Sequence, residues 1–407
     1  MKYKKIFILT SHFPPQKGGV ETSIRMFLDW TENKENYSVT VVTYDNRRES
    51  GEFKDYWNKN KVIRINVPKE HLKYMISLKE ITLMNTLFRQ LRYFLFNSFY
   101  LVVGAAKNRR QLRKSDCIIA KGAIIEIFAT YIISLLFGKT YSIRFHTDLR
   151  SVLKTSFLKY VIKICLRRSC KIIVNANDIK SEFEALGISP DKILVTNPSV
   201  NTSIFYPKNK MLTRDVLTLP QDKTIILFSS ALNDTKFADF IIDIAYKLLD
   251  LNDKYFFIFV GEGYLDKDVE KLAIRYPLDV KFINKSIDQS DLSDYFNAAD
   301  IAIGTVDIDY PSRIVLEAAA CGCTVLIPDQ SIHQKKRNIK TNWKIDLRSV
   351  FMVYPDKEQF LKFILDNRKN MLEIRDDSFL TGVAHEYIKR SYSSYAVHNN
   401  EVNFLFE

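Results

Sequence analysis

Along most of this chain, short apolar runs alternate with segments whose apolar residues recur every three or four positions. The alternation stops once and then starts again. In the first half, Ile6–Thr10, Val39–Thr43, Val62–Ile65, Cys117–Ala120, Tyr141–Phe145, Lys171–Val174 and Ile193–Thr196 read as strands. Thr22–Trp30, Ile124–Leu136 and Leu158–Leu166 between them carry helical spacing. Strands that are apolar throughout are buried on both faces, which is the condition of a parallel sheet covered by helices. Asn197-Pro198-Ser199, Tyr206-Pro207-Lys208 and the polar residues up to Pro220 then read as a linker. The pattern restarts at Thr224–Phe228, Phe256–Val260, Val280–Ile283, Ile301–Gly304, Thr324–Ile327 and Val350–Val353. A chain of 407 residues exceeds one core. The expectation is an α/β protein of two successive Rossmann-like, doubly wound domains, 1–207 and 208–375, with terminal helices over 376–407.

The richest local signal is the run from Ala298 to Asp329: strand, acidic loop, a Pro-Ser entry to an Ala-rich helix, second strand. In such sheets ligands sit where loops leave the carboxyl ends of strands. Asp309 and Glu317 stand eight positions apart across the loop and first helical turns, so both can face one crevice. The helix start at Ser312 and Arg313 offers backbone N–H groups to a phosphate.

Composition narrows the partners. The 46% hydrophobic and 26% charged fractions are those of a globular protein. Lys4–Lys5 followed by Ile6–Leu9 is too short for a signal peptide and reads as a first buried strand, and no run reaches the roughly 18 apolar residues of a membrane span. Net charge is +13, but no nucleic-acid motif accompanies it, so no nucleic-acid partner is expected. Cations and aromatics are interleaved across 73–114, with Arg89, Arg92, Lys107, Arg109, Arg110, Arg113 and Lys114 among Phe88, Tyr93, Phe94, Phe96, Phe99 and Tyr100. That mixture suits helices lying on an anionic membrane surface. The five cysteines follow no disulfide or zinc spacing and read as small apolar residues of a reducing, cytoplasmic compartment.

Several motifs recur in one order. Ser11-His12-Phe13-Pro14-Pro15-Gln16-Lys17-Gly18-Gly19-Val20-Glu21 follows the first strand, and Phe145-His146-Thr147-Asp148 ends the fifth. Asn197–Phe205 forms the turn between the halves, Val260-Gly261-Glu262-Gly263 follows a strand of the second half, and Asp309-x7-Glu317 closes the series. In this order they resemble glycosyltransferase family 4, the retaining, nucleotide-sugar-dependent enzymes of GT-B architecture. That resemblance implies two Rossmann-like domains facing a central cleft, with the terminal helices crossing back to the first domain.

It also implies roles. Gly18 and Gly19 let the backbone approach a diphosphate. His146 contacts the donor sugar or the leaving diphosphate, Glu317 accepts from the ribose hydroxyls, and Asp309, where the family usually has Glu, lies near the transferred sugar. Lys236 keeps the family's diphosphate lysine, whereas Ala231 stands where the family has arginine. Losing one cation from that grip costs about 1.5–3 kcal/mol unless compensated. Arg313 is our candidate replacement, from its place at the helix start. No cofactor or metal is expected, a nucleoside diphosphate sugar serving as donor. The expected acceptor is a glycan or polyprenyl-diphosphate-linked precursor of bacterial cell-surface polysaccharide, met by a cytoplasmic protein peripheral at the inner face of the membrane. A second reading, motivated by Ala231, Asp309 and the rewritten Ser331–Arg337 region, is a degenerate paralogue that partners an active transferase. A nucleotide-sugar epimerase of the same architecture fits the G-G-V-E loop and D-x7-E less well.

Overall fold

The structure is a computed structural model that describes residues 3–14, 18–45, 56–67, 87–146, 156–251, 254–304, 306–307, 310–328, 347–353 and 356–407. It divides into two units. Residues 1–196 with 398–407 form the first, and 197–397 the second.

The first unit holds a sheet whose strands are β1 (Lys4–Leu9), β2 (Tyr37–Tyr44), β3 (Tyr56–Trp57), β4 (Asn60–Ile65), β5 (Cys117–Gly122), β6 (Tyr141–Phe145), β7 (Ile172–Val174) and β8 (Ile193–Val195). Their order is β3-β4-β2-β1-β5-β6-β7-β8, parallel apart from the short β3–β4 pair. The sequence crosses the sheet in one direction from β1 to β2 and in the other from β1 to β5. The switch point therefore lies between β1 and β5, in register at Ile8 and Ile119. Helices α1 (Gly19–Glu32), α2 (Leu87–Lys107), α3 (Arg109–Lys114), α4 (Ile124–Phe137), α5 (Ser156–Arg168) and α6 (Asn177–Ala185) follow the strands. Ile24, Phe27 and Leu28 of α1 pack with Ile6 and Ile8 of β1 and Val39 and Val41 of β2 in one buried cluster, which anchors the α1 face to the sheet.

The second unit is built likewise. Its sheet of β9 (Thr224–Ser229), β10 (Tyr255–Val260), β11 (Val280–Ile283), β12 (Ile301–Ile303), β15 (Thr324–Pro328) and β16 (Val350–Val353) runs β11-β10-β9-β12-β15-β16, all parallel. Its switch point lies between β9 and β12. Alternate residues feed separate cores on the two faces: Ile225, Leu227, Ile258 and Ala302 on one, Ile226, Phe228, Phe257 and Ile303 on the other. This explains why these strands read as unbroken apolar runs.

The 197–220 stretch is not a loose linker. It contains α7 (Lys210–Val216), and Arg214 of that helix is buried. Asn201 makes a local turn by accepting from the backbone N–H (3.2 Å) and hydroxyl (2.6 Å) of Ser203. α8 (Ala238–Leu251), α9 (Asp266–Arg275), α10 (Gln289–Ala298), α11 (Arg313–Ala320), α12 (Lys357–Asp376), α13 (Ser378–Tyr392) and α14 (Ser394–Phe406) complete the chain. A two-residue pair, β13 (Val306–Asp307) with β14 (Tyr310–Pro311), brackets positions 308–309. No helix among the described residues is long and apolar enough to cross a membrane.

One finer expectation is corrected. Cys170 is exposed, unlike the other four cysteines. In the basic-aromatic segment, Lys107, Arg109, Arg110, Arg113 and Lys114 are exposed at the end of α2 and in α3, and the side chains of residues 87–93 lie outside the described ones. Residues 73–86 lie outside the described residues.

Candidate active site

In the first unit the switch point is walled by the loop after β1 and by the β5–α4 junction. Glu126, in the first turn of α4, ties the two together. Its Oε1 accepts from the Ser11 N–H at 2.8 Å and from the Ser11 hydroxyl, while its Oε2 accepts from the Ala123 N–H at 2.8 Å. Gly122, at φ +153°, sits against that carboxylate: a Cβ there would stand 2.5 Å from Glu126 Cδ. Any side chain would displace the tie. One strand over, the His146 N–H donates to the Gly122 carbonyl at 3.3 Å, which sets His146 at the carboxyl end of β6. Thr147 and Asp148 lie outside the described residues.

Gly18 is the N-cap of α1 and Gly19 opens it, three residues ahead of Thr22, where the helical spacing of the sequence begins. Both are exposed, and the Thr22 N–H closes the first turn on the Gly18 carbonyl at 3.1 Å. Glu21, in that first turn, is buried and meets His12 Nδ1 at 3.1 Å. The first unit thus brings Gly18, Gly19 and His146 to one sheet edge, together with His12, Glu21 and Glu126, to which sequence reasoning gave no role. Glu126 did leave a signal, an acid interrupting the otherwise apolar Ala123–Phe137.

In the second unit the loop after β9 is structured by its own residues. Asn233 Oδ1 accepts the Lys236 N–H at 3.0 Å and caps a short 3-10 turn, Asp234–Lys236. Tyr264 Oη accepts the Asp234 N–H at 2.9 Å from across the neighbouring loop. Gly261, at φ +141°, is required here because a Cβ would stand 2.0 Å from the Ser230 carbonyl oxygen. The V-G-x-G turn therefore packs directly against the loop that presents Lys236.

Across the switch point, α11 leaves the β12 side. Ser312 is its N-cap by backbone geometry, yet its side chain makes no capping bond. The Ser312 hydroxyl is buried with no hydrogen-bond partner among the described residues. A buried hydroxyl at a helix N-terminus that does not cap is one available to a ligand oxygen. Arg313 donates through Nε to the Ser199 carbonyl at 3.3 Å, so part of its guanidinium is held by the turn that enters this unit. Glu317 is buried, one turn further along the helix. Lys236, after β9, and Ser312, Arg313 and Glu317, at the start of α11 after β12, thus flank one switch point; Asp309 lies outside the described residues, as does Ser331–Arg337.

The chain resembles known proteins at two levels. Residues 209–335 match the family model for glycosyl transferases group 1. The D-inositol 3-phosphate glycosyltransferase 2 of Catenulispora acidiphila is 29% identical over 167 residues, 38% of this chain and 39% of that protein. The D-inositol 3-phosphate glycosyltransferase of Streptosporangium roseum is 29% identical over 156 residues, 35% of each chain. The match thus spans well under half the length of these curated relatives. Solved structures cover far more at lower identity. The sucrose-phosphate synthase of Thermosynechococcus elongatus superposes over 98% of both chains with a TM-score of 0.72 and 15% identity. Anabaena HepE in complex with UDP-glucose covers 99% of this chain and 100% of its own, with a TM-score of 0.68 and 16% identity. Identity that low carries the fold alone, which is GT-B.

Proposed function

From a chain of GT-B architecture whose residues 209–335 match the group 1 glycosyl transferases, we propose a retaining transfer of sugar from a nucleoside diphosphate sugar. The acceptor is a glycan or polyprenyl-diphosphate-linked precursor of bacterial surface polysaccharide. The observation that carries this reading is that α11 holds both buried Glu317 and the buried, non-capping Ser312 hydroxyl, beside the switch point that also receives Lys236. A carboxylate offers two acceptor oxygens to the two ribose hydroxyls. The α11 N-terminus, Lys236 and Arg313 offset the diphosphate charge. His146, with Asp309, positions the sugar. The UDP-glucose complex of the HepE neighbour supports the same donor class, and the names of the partial relatives support glycosyl transfer.

Contact with the inner face of the membrane is supported by a separate feature of the first unit. An apolar groove of about 490 Å³ runs between α2 and α4, lined by Leu95, Phe96, Phe99, Val102, Phe128 and Ile132. The helix segments that form it carry no acid facing outward, since the one carboxylate of α4, Glu126, is buried. The exposed cations of α3 continue from α2, a charge distribution that favours anionic headgroups.

The reading is tested by thermal shift with UDP, GDP, ADP and dTDP. One of them stabilises the wild type, by about 2.7 kcal/mol at 100 times its Kd. Glu317→Gln and Arg313→Ala each weaken that nucleotide by about 10- to 100-fold, the loss of a charge-assisted contact worth about 1.5–3 kcal/mol. No shift with any nucleotide points instead to a non-catalytic partner of an active transferase. An unchanged affinity in Arg313→Ala removes that residue from the diphosphate grip.

A further inference from the structure

His12 takes no part in the roles given above, yet its imidazole is held as working imidazoles are. Nδ1 lies 3.1 Å from Glu21 Oε1. A carboxylate accepts only, so the ring proton sits on Nδ1 and Nε2 of the neutral ring carries the lone pair. The His12 side chain is 44% exposed and that of Glu21 10%. Glu21 is fitted beneath the glycine loop, where a Cβ on Gly18 would stand 2.5 Å from its Oε2. The backbone is fixed as well. The His12 N–H donates to Thr10 Oγ1 at 3.1 Å, that hydroxyl donates back to the His12 carbonyl at 3.0 Å, and the adjacent Ser11 is held by Glu126. Orienting a half-exposed ring through a buried carboxylate is how a histidine is prepared to meet a substrate.

Resting on the glycosyl-transfer reading, we propose that His12 binds the attacking hydroxyl, its Nε2 accepting that hydroxyl's hydrogen bond and directing the oxygen at the anomeric carbon of the donor. As the new carbon–oxygen bond forms, the bond from the anomeric carbon to the diphosphate oxygen breaks and its electron pair leaves with the diphosphate. The hydroxyl's one proton, held toward Nε2 in the bound complex, turns to the departing oxygen on the same face as the bond breaks and ends there. His12 neither gains nor loses a proton; it supplies orientation. Gly122, between the loops that carry His12 and His146, adds no side chain to the floor there.

A pH signature follows. Among the described residues, Glu21 from α1 and Glu126 from α4 are the charged groups that bear on the ring. Burial disfavours the charged ring, but the Glu21 hydrogen bond and the two carboxylate charges outweigh it, so its pKa lies above 6.5. Once protonated, Nε2 donates and no longer accepts. The rate therefore falls as pH drops through that pKa.

Water serves as the attacking hydroxyl in the test. The full chain is given UDP-, GDP-, ADP- and dTDP-linked hexoses, and nucleoside diphosphate release is followed between about pH 5.5 and 8.5, spanning histidine titration. His12→Ala lowers kcat for hydrolysis by about 100-fold with donor KM unchanged, the scale of a misplaced reacting atom, and loses the acid limb. His12→Gln, which accepts a hydrogen bond but does not titrate, recovers part of the rate with a flat profile. Wild-type kcat and pH profile in His12→Ala overturn the inference, as does a loss confined to KM. If the alanine variant fails to fold, the glutamine variant decides: retention of the acid limb overturns the inference. If the wild type hydrolyses none of the donors, the transfer reading falls and takes this inference with it.

Discussion

Glu126 shows how a single residue can stand out in a sequence without its role being legible there. It breaks an apolar run, and in the run its only meaning is to argue against a membrane span. In the fold it is buried and takes hydrogen bonds from Ser11 and Ala123 on the two sides of a switch point. Nothing in residue spacing joins positions 11 and 126; the parallel pairing of β1 and β5 does. His12 and Glu21 illustrate the same limit over a shorter span, because the loop between them has no period from which a contact follows. The cysteines give a cleaner residue-scale prediction. Burial pushes the thiols of Cys117, Cys165, Cys321 and Cys323 up to about 12, so almost none is thiolate near pH 8. Cys170 is exposed. Iodoacetamide at pH 8 therefore labels the folded protein at Cys170 and reaches the other four after denaturation. Peptide mass mapping checks this, and rapid native labelling at Cys321 or Cys323 would refute it.

At the scale of elements, the long strands were legible because burial on both faces leaves them uniformly apolar. The two-residue strands β3, β13 and β14 carry no such pattern. Helix α7 was missed for a different reason. Its Met211, Leu212 and Val216 are exposed, and the residue that anchors it is an arginine. Arg214 donates to Asp300 Oδ2 at 2.6 Å and to the Ala298 carbonyl at 2.8 Å. Asp300 Oδ2 also accepts the Ile225 N–H at 2.8 Å, and Lys210 reaches Asp300 Oδ1 at 3.0 Å. One buried carboxylate thus joins α7 to the start of β9 and to the entry of β12, the two strands that flank the switch point of the second sheet. Removing one partner of a buried pair leaves an uncompensated charge and costs about 3–5 kcal/mol. Asp300→Asn should lower the melting temperature of the second unit by about 6–20 °C in calorimetry. A shift of a degree or less would mean that the pair is dispensable and that α7 is held by packing alone.

At the scale of the whole molecule, the chain leaves the first unit after Thr196 and rejoins it at His398. An apolar pattern at the terminus predicts a helix but does not say where its face goes. The structure assigns it through buried charge. Glu401 lies 2.8 Å from Arg144 Nε and 3.0 Å from His398 Nδ1, and the His398 ring stands edge-on to Phe27 at 5.3 Å. Lys4 and Lys171 sit over the rings of Phe406 and Phe404. Burial alone would raise the Glu401 carboxyl, but the Arg144 charge and the His398 hydrogen bond outweigh it and bring it to about 2. Burial also holds His398 below 6.5, against the pull of Glu401. Both shifts have the same sign for docking. The undocked tail takes up a proton at His398 as pH falls below about 6.5, and at Glu401 below about 4.3, before the docked tail does. Docking is therefore strongest above about pH 6.5 and weakens progressively in acid. Glu401→Ala should release the tail at neutral pH, because it leaves Arg144 buried and unpaired at a cost of about 3–5 kcal/mol. Hydrogen exchange over 398–407 reads this directly: protected near pH 7 in the wild type, less protected near pH 5, and unprotected near pH 7 in the variant, while 224–229 of the second sheet stays protected throughout. Equal protection of the tail in both proteins would show that Val402 and the two cation–aromatic contacts hold it without the ion pair.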